Sequence, residues 1–309
     1  MAMKKLSRGT YGVLLTPLTK ERELNIDLLE KELHFCLDSD ATGILVLGST
    51  GEFPYLSIEQ RKTMLKISQA IVQKNKTLIA GVSGYTEREV IDNLQISVEM
   101  GYSYAIICPP YYYPQSQKEV LEFYTNISKQ APSGLGLILY HIPFCTAGIS
   151  LQTLVELSAN ENIIGLKDSS GDGLYFAKSV QMVQKQRKDF SIFTGQDSFF
   201  LPSLSLGGSG CMSALSWILH KEMKQILMMY DSMRIQSAMQ IQHAIIDIVL
   251  HLDAIPFPEN YRALAEVTQI SCGTFQRWYE ALSESKLSLW NNEADSKVQK
   301  IHELVGKSQ

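Results

Sequence analysis

Eight short apolar runs recur along this chain, and their spacing constrains the fold more than any other feature. They are Tyr11–Pro17, Gly43–Gly48, Thr77–Val82, Tyr104–Pro109, Gly136–Pro143, Ile163–Lys167, Phe190–Thr194 and Gly210–Ala214. The runs are rich in Val, Ile and Leu and mostly continuous, the pattern of strands buried on both faces of a parallel sheet. Longer amphipathic stretches separate them. Ser57–Lys74 opens with capping-box spacing, Ser57 to Gln60, and then sets Met64, Leu65, Ile67, Ile71 and Val72 on one face. Thr86–Met100, Gln117–Gln130, Leu151–Ala159 and Leu174–Gln186 repeat the pattern. Eight strand–helix units within about 220 residues predict an α/β fold, a (β/α)8 TIM barrel. An open doubly wound sheet is the alternative, but no dinucleotide fingerprint follows the first strand.

After about Trp217 the strands stop. Ile218–Met233, Ile235–Leu252, Pro258–Gln269 and Glu293–Gly306 read as helices, with Ala254–Pro258 an extended break between two of them. The expected organisation is a barrel over residues 1–232 and a C-terminal helical extension over 233–309, without a loose linker.

Charge and cysteine usage narrow the function classes. The formal net charge is −4 with no basic stripe, which argues against nucleic acid as a partner. No apolar run approaches the ~18–20 residues of a membrane span. The start carries Lys4, Lys5 and Arg8 before an apolar stretch broken by Thr16 and Pro17, so it reads as a first strand rather than a secretory signal. The five cysteines are odd in number and form no CxxC pair, which fits reduced thiols in a cytoplasmic protein.

In a barrel the chemistry sits where strands end, at the C-terminal face. Lys167 ends the apolar run Ile163-Ile164-Gly165-Leu166. Burial there disfavours an ammonium, and a partly neutral amine can attack a ketone to form a Schiff base. An ion pair with Asp168 or another carboxylate is the other reading, and position alone leaves both open. Gly48-Ser49-Thr50-Gly51 offers successive N–H groups and two hydroxyls, a nest suited to a carboxylate or phosphate. It lacks the Gly-Lys-Ser/Thr ending of a P-loop, and a plain strand-to-helix turn would explain the same residues. Tyr140 could relay a proton, although a phenol needs help to act as a base. Tyr111-Tyr112-Tyr113 could equally pack at a subunit interface. The six histidines form no HxH or HExxH, so no metal site is expected. No GxSxG elbow supports a serine hydrolase.

Gly48-Ser49-Thr50-Gly51-Glu52, Tyr140-x-x-Pro143, Gly165-Leu166-Lys167-Asp168 and Gly208-x-Gly210 follow one another in that order. In this set of motifs the chain resembles the dihydrodipicolinate synthase / N-acetylneuraminate lyase family across nearly its whole length. The resemblance implies a class I aldolase-type lyase or synthase on a TIM barrel. It implies that Lys167 forms a Schiff base with pyruvate or a related 2-keto acid, with no cofactor beyond that covalent imine. Tyr140 matches the proton-relaying tyrosine. Ser49 and Thr50 match the pair that holds the keto acid's carboxylate, with Thr50 also in the relay and Gly51 completing the turn. Tyr112 matches a tyrosine inserted into a neighbouring subunit's site, within a homotetramer built as a dimer of dimers. Met212 matches the strand-eight residue beside the imine. Ser169, Gln196 and Asp197 match positions near the second substrate, an aldehyde.

Two departures bear on that second substrate. The synthase pattern has an arginine two residues after the Tyr-x-x-Pro proline, where this chain has Cys145. Arginine grips a carboxylate bidentately and cysteine cannot. No other arginine falls at an expected strand end. The lyase pattern has a glutamate after Asp197, where this chain has Ser198. The expectation is therefore a shorter hydroxylated 2-keto acid, such as a 2-keto-3-deoxy sugar acid. Dihydrodipicolinate synthase, a dehydratase using the same imine, and a non-catalytic keto-acid binder are the alternatives.

Overall fold

The computed structural model describes residues 5–273 and 284–306. Eight parallel strands close into a barrel: β1 (Gly9–Val13), β2 (Gly43–Val46), β3 (Thr77–Gly81), β4 (Tyr104–Ile107), β5 (Gly136–His141), β6 (Ile163–Asp168), β7 (Ser191–Thr194) and β8 (Gly210–Ser213). Neighbours in sequence pair throughout, and β1 pairs with β8 in the register Gly9↔Gly210 to Gly12↔Ser213, which closes the ring. The TIM-barrel expectation is met. All six residues of β6 are buried, with helices covering the outer face.

Several strands are shorter than their apolar runs. β1 begins at Gly9 and ends at Val13, rather than spanning Tyr11–Pro17. Leu14 N–H still donates to the Leu45 carbonyl at 3.0 Å, and beyond it the chain stays buried but leaves the sheet. The Thr16 hydroxyl donates to the Gly51 carbonyl at 2.6 Å, and Pro17 has no N–H to offer. β4 ends before Pro109 and Pro110 for the same reason.

Helix starts follow local chemistry. α2 (Ile58–Val72) carries the expected capping box, with Ser57 accepting from the Gln60 N–H and Gln60 accepting from the Ser57 N–H. α1 (Ile26–Asp38) was not singled out from the sequence, although Asn25 caps it and Leu29, Leu33 and Cys36 form its buried stripe.

The C-terminal region is helical as expected: α9 (His220–Asp231), α10 (Ile235–Leu252), α11 (Glu259–Val267) and α12 (Glu284–Gly306). α12 starts nine residues before the expected Glu293, and within it Trp290 stacks on His251 with ring centroids 4.7 Å apart. The expected boundary at 232/233 falls between α9 and α10. Side chains of the extension reach back into the barrel. Arg262 of α11 is 1% exposed, and its guanidinium lies 3.6 Å from the carboxylate of Glu52, itself 2% exposed. The same guanidinium donates to the carbonyls of Thr16, at 3.2 Å, and Cys272. Gln242 of α10 accepts from the Leu201 N–H at 2.8 Å and donates to the Asp197 carbonyl at 3.0 Å.

Removing one member of a buried ion pair strands the other in a low dielectric. Arg262→Met is therefore expected to lower unfolding free energy by about 3–5 kcal/mol, read from urea denaturation. A loss below about 1 kcal/mol would mean that this pair does not hold the extension to the barrel.

Candidate active site

Residues alternate between the two faces of a strand. Lys167 and Asp168 therefore point to opposite sides of β6. The Asp168 carboxylate accepts from the Ser170 N–H at 2.8 Å, and burial pushes its pKa up to about 6. It is not the partner of Lys167. The lysine is 3% exposed, and its Nζ stands 4.5 Å from the centroid of the Tyr140 ring. Among the described residues no carboxylate lies within ion-pair distance of it.

Lys167 opens into a small cavity of about 100 Å³ at the C-terminal mouth of the barrel. Thr50, Tyr140, Ser169, Met212 and Tyr261 line it with the lysine. Gly195 is required beside it, because a Cβ there would stand 2.0 Å from the Ser169 hydroxyl and 2.8 Å from Lys167 Cε. Hydroxyls flank the Tyr140 phenol: Ser49 donates to it at 3.4 Å and Ser169 at 3.5 Å. Both contacts are longer than the usual ~2.7–2.8 Å for paired hydroxyls. No arginine, and no second lysine, lines this cavity among the described residues.

The Gly48–Glu52 turn uses part of its own N–H supply. Gly51 N–H donates to the Gly48 carbonyl and Glu52 N–H to the Ser49 carbonyl. Ser49 lines a second, larger cavity of about 340 Å³, shared with Tyr111, Tyr112 and Cys145. Tyr112 is not at Lys167 within this chain. It stands 83% exposed with φ of 83°, stacked edge-on against Tyr113. Gln196 faces the Lys167 cavity, and its amide donates to the Ser169 carbonyl at 3.0 Å.

Asp197 differs from the expectation of an open substrate contact. It is 2% exposed, and its Oδ2 accepts from the Tyr261 hydroxyl at 3.0 Å. Burial pushes its pKa up to about 6, against the pull of Ser213, Tyr261 and the Lys167 ammonium. Sequence reasoning missed Tyr261, Phe257 and Ser213, all of which line the cavity. Tyr261 and Phe257 belong to the extension, where no sequence pattern points at a barrel mouth.

Among the described residues no group of three or more His, Cys, Asp or Glu side chains could hold a metal ion. Nor is any described helix long and apolar enough to cross a membrane.

A sequence profile of the dihydrodipicolinate synthetase family matches residues 6–291. The chain belongs to the dihydrodipicolinate synthetase family. It is 30% identical, over 67% of its length and 70% of the relative's, to an uncharacterized DapA-like lyase of Thermococcus onnurineus. It is 28% identical to the 4-hydroxy-tetrahydrodipicolinate synthase of Clostridium novyi, over 82% of this chain and 84% of that one. Among solved structures, CdNal from Clostridium difficile in complex with mannosamine superposes with a TM-score of 0.85 at 26% identity. The match covers 94% of this chain and 98% of that one. Members of this family are class I lyases and synthases, and the protein is an enzyme of that kind.

His141, next to Tyr140, gives the site a pH signature. Its ring stacks on Tyr175 at 4.1 Å, and its Nδ1 accepts from the Ile149 N–H at 2.8 Å. Burial pushes its pKa from 6.5 down to about 4, against the attraction of Asp172. The unfolded chain thus takes up this proton at a higher pH than the fold does. The stabilisation is complete above 6.5 and is lost as pH falls towards 4. His141→Asn keeps an acceptor for Ile149 and cannot titrate. Over that window the denaturation midpoint of the wild type is expected to fall further than that of the variant. Asp168 and Asp197, raised to about 6, work in the opposite sense and are common to both proteins. Parallel curves would remove His141 from the acid response.

Proposed function

We propose that the protein is a Schiff-base aldolase that joins Lys167 to pyruvate and makes or splits a short hydroxylated 2-keto acid. The observation that carries this reading is the buried Lys167 amine, unpaired among the described residues and facing a cavity rimmed by hydroxyls. Membership of a family of class I lyases and synthases supports it.

In the cleavage direction the amine adds to the C2 ketone, and loss of water leaves a protonated imine. Tyr140 relays the C4 hydroxyl proton, accepting it as it passes its own to the Ser49 or Ser169 hydroxyl, and the relay later returns a proton to C3. The C3–C4 bond breaks, its electron pair flows into the imine, and an aldehyde leaves. The remaining enamine is protonated at C3, and water releases pyruvate and the free lysine. Ser49 and Thr50 hold the carboxylate at the end of β2. Met212 flanks the imine. Gly51 completes the turn after β2, Ser169 and Gln196 frame the aldehyde end, and Asp197 stands behind them.

We also assign Tyr112 to a neighbouring subunit's site in a homotetramer. A tyrosine this exposed, held at a positive φ, fits an aromatic that finds its contacts on another chain. Five cysteines, odd in number and with no CxxC pair, fit residence in the cytoplasm.

The synthase reading has the names of curated relatives behind it. Against it stands a cavity with no guanidinium for a second carboxylate among the described residues.

Borohydride with pyruvate is expected to trap one adduct per chain, mapped by peptide mass to Lys167 and absent from Lys167→Ala. A folded wild type that traps no adduct would overturn the imine. Tyr140→Phe is expected to trap pyruvate and yet to slow aldol cleavage by about 100-fold or more, measured in single turnover. Equal loss of both would make Tyr140 a binding residue. Efficient turnover of aspartate semialdehyde, with none of D-glyceraldehyde, would move the assignment to the synthase.

A further inference from the structure

The wall of the Lys167 cavity farthest along the chain comes from the extension. Phe257 and Tyr261 line it, their rings edge-on with centroids 6.1 Å apart, and Phe144 faces the same space. The Tyr261 hydroxyl donates to Asp197 Oδ2 at 3.0 Å. The Asp197 backbone is fixed separately, by the Gln242 amide on its carbonyl. Asp197 therefore does not line the cavity, although it follows β7 directly after Gly195 and Gln196, which do.

A carboxylate has about four acceptor sites, so a ligand hydroxyl reaches it only where the surrounding side chains leave an oxygen open to the cavity. Here the phenol holds Oδ2 and the other oxygen, Oδ1, is buried as well, so neither opens into the cavity while Tyr261 stays in place. The cavity left in front of it is only about 100 Å³, and the larger space of about 340 Å³ lies on the Ser49 side, with Phe257 lining both. Lys167 is the one cation lining the smaller cavity among the described residues, and that group is consumed by the imine.

We propose that Tyr261 is a specificity-determining residue: by holding Asp197 it closes the far wall of the site, so that the aldehyde partner is short and uncharged. This rests on the imine reading of Lys167 and narrows its substrate class. A long polyhydroxylated aldehyde would have to break the Tyr261–Asp197 bond and displace an aromatic wall. A short one fits with the bond intact. An aldehyde bearing a second carboxylate would bury that charge without a partner.

The test is aldol synthesis at fixed pyruvate with D-glyceraldehyde, N-acetyl-D-mannosamine and aspartate semialdehyde. The reading is the ratio of kcat/KM between aldehydes, with kcat and KM determined separately. The wild type is expected to favour D-glyceraldehyde. Tyr261→Ala, which removes the wall and the donor, is expected to shift the ratio towards N-acetyl-D-mannosamine by about tenfold or more, mainly through KM. Tyr261→Phe keeps the ring and releases Asp197, and a smaller shift in the same direction is expected. It decides the matter should the alanine variant not fold. A ratio unchanged within about twofold in the folded variants overturns the role of Tyr261. So does a wild type that already prefers the long or the charged aldehyde. Borohydride trapping of wild-type enzyme with pyruvate runs alongside. An adduct with an unmoved ratio removes only the Tyr261 proposal, whereas no adduct removes the imine reading beneath it.

Discussion

The site depends on one constraint: the Lys167 amine must sit in the protein interior, with no carboxylate within ion-pair distance among the described residues. A closed parallel barrel meets that demand. Strand alternation sends Lys167 inward and Asp168 outward, where the neighbouring Ser170 N–H occupies the acid. Gly195 leaves room for the lysine stem, and the Tyr140 ring offers a soft electrostatic contact at 4.5 Å. The hydrophobic layers of the barrel therefore keep the protein folded and also enclose one nitrogen.

Around that nitrogen the chain assembles parts from distant positions. The turn after β2 is held from behind: Thr16 binds the Gly51 carbonyl, and Arg262 binds Thr16 and faces Glu52. Gln242 fixes the end of β7, and Tyr261 fixes the side chain of Asp197. The extension is in this sense the back wall and clamp of the barrel mouth. The strands supply the reactive groups, and the helices after them set how much room those groups command.

Much of this was legible in the sequence. Continuous apolar runs of Val, Ile and Leu gave eight strands, because burial on both faces leaves no polar alternation to confuse them with surface strands. The strand ends then pointed to Lys167, Tyr140, Ser49 and Thr50 before any geometry was known. Run length was a poorer guide to strand length. Leu15 is as buried as Val13 but lies beyond β1, since apolar pattern reports burial and not hydrogen bonding. The role of Asp197 was not legible either. Its partner Tyr261 lies 64 residues away on an element whose own periodicity speaks only of helix packing. The same holds for Tyr112, whose solvent-facing pose is a matter of backbone φ that no residue pattern announced.

Closure of the ring by β1 and β8 has a consequence for how the protein is made. Gly9 finds its partner only when Gly210 exists, and the Tyr261 wall follows later still. At about 5–20 residues per second, the ribosome takes roughly ten to forty seconds between those two glycines. Through that interval the first strand carries an open edge on a growing sheet, available to chaperones or to another nascent chain. Lys167 is thus synthesised well before the enclosure around it is complete. A chain stopped short of the last strands would carry that lysine without its pocket.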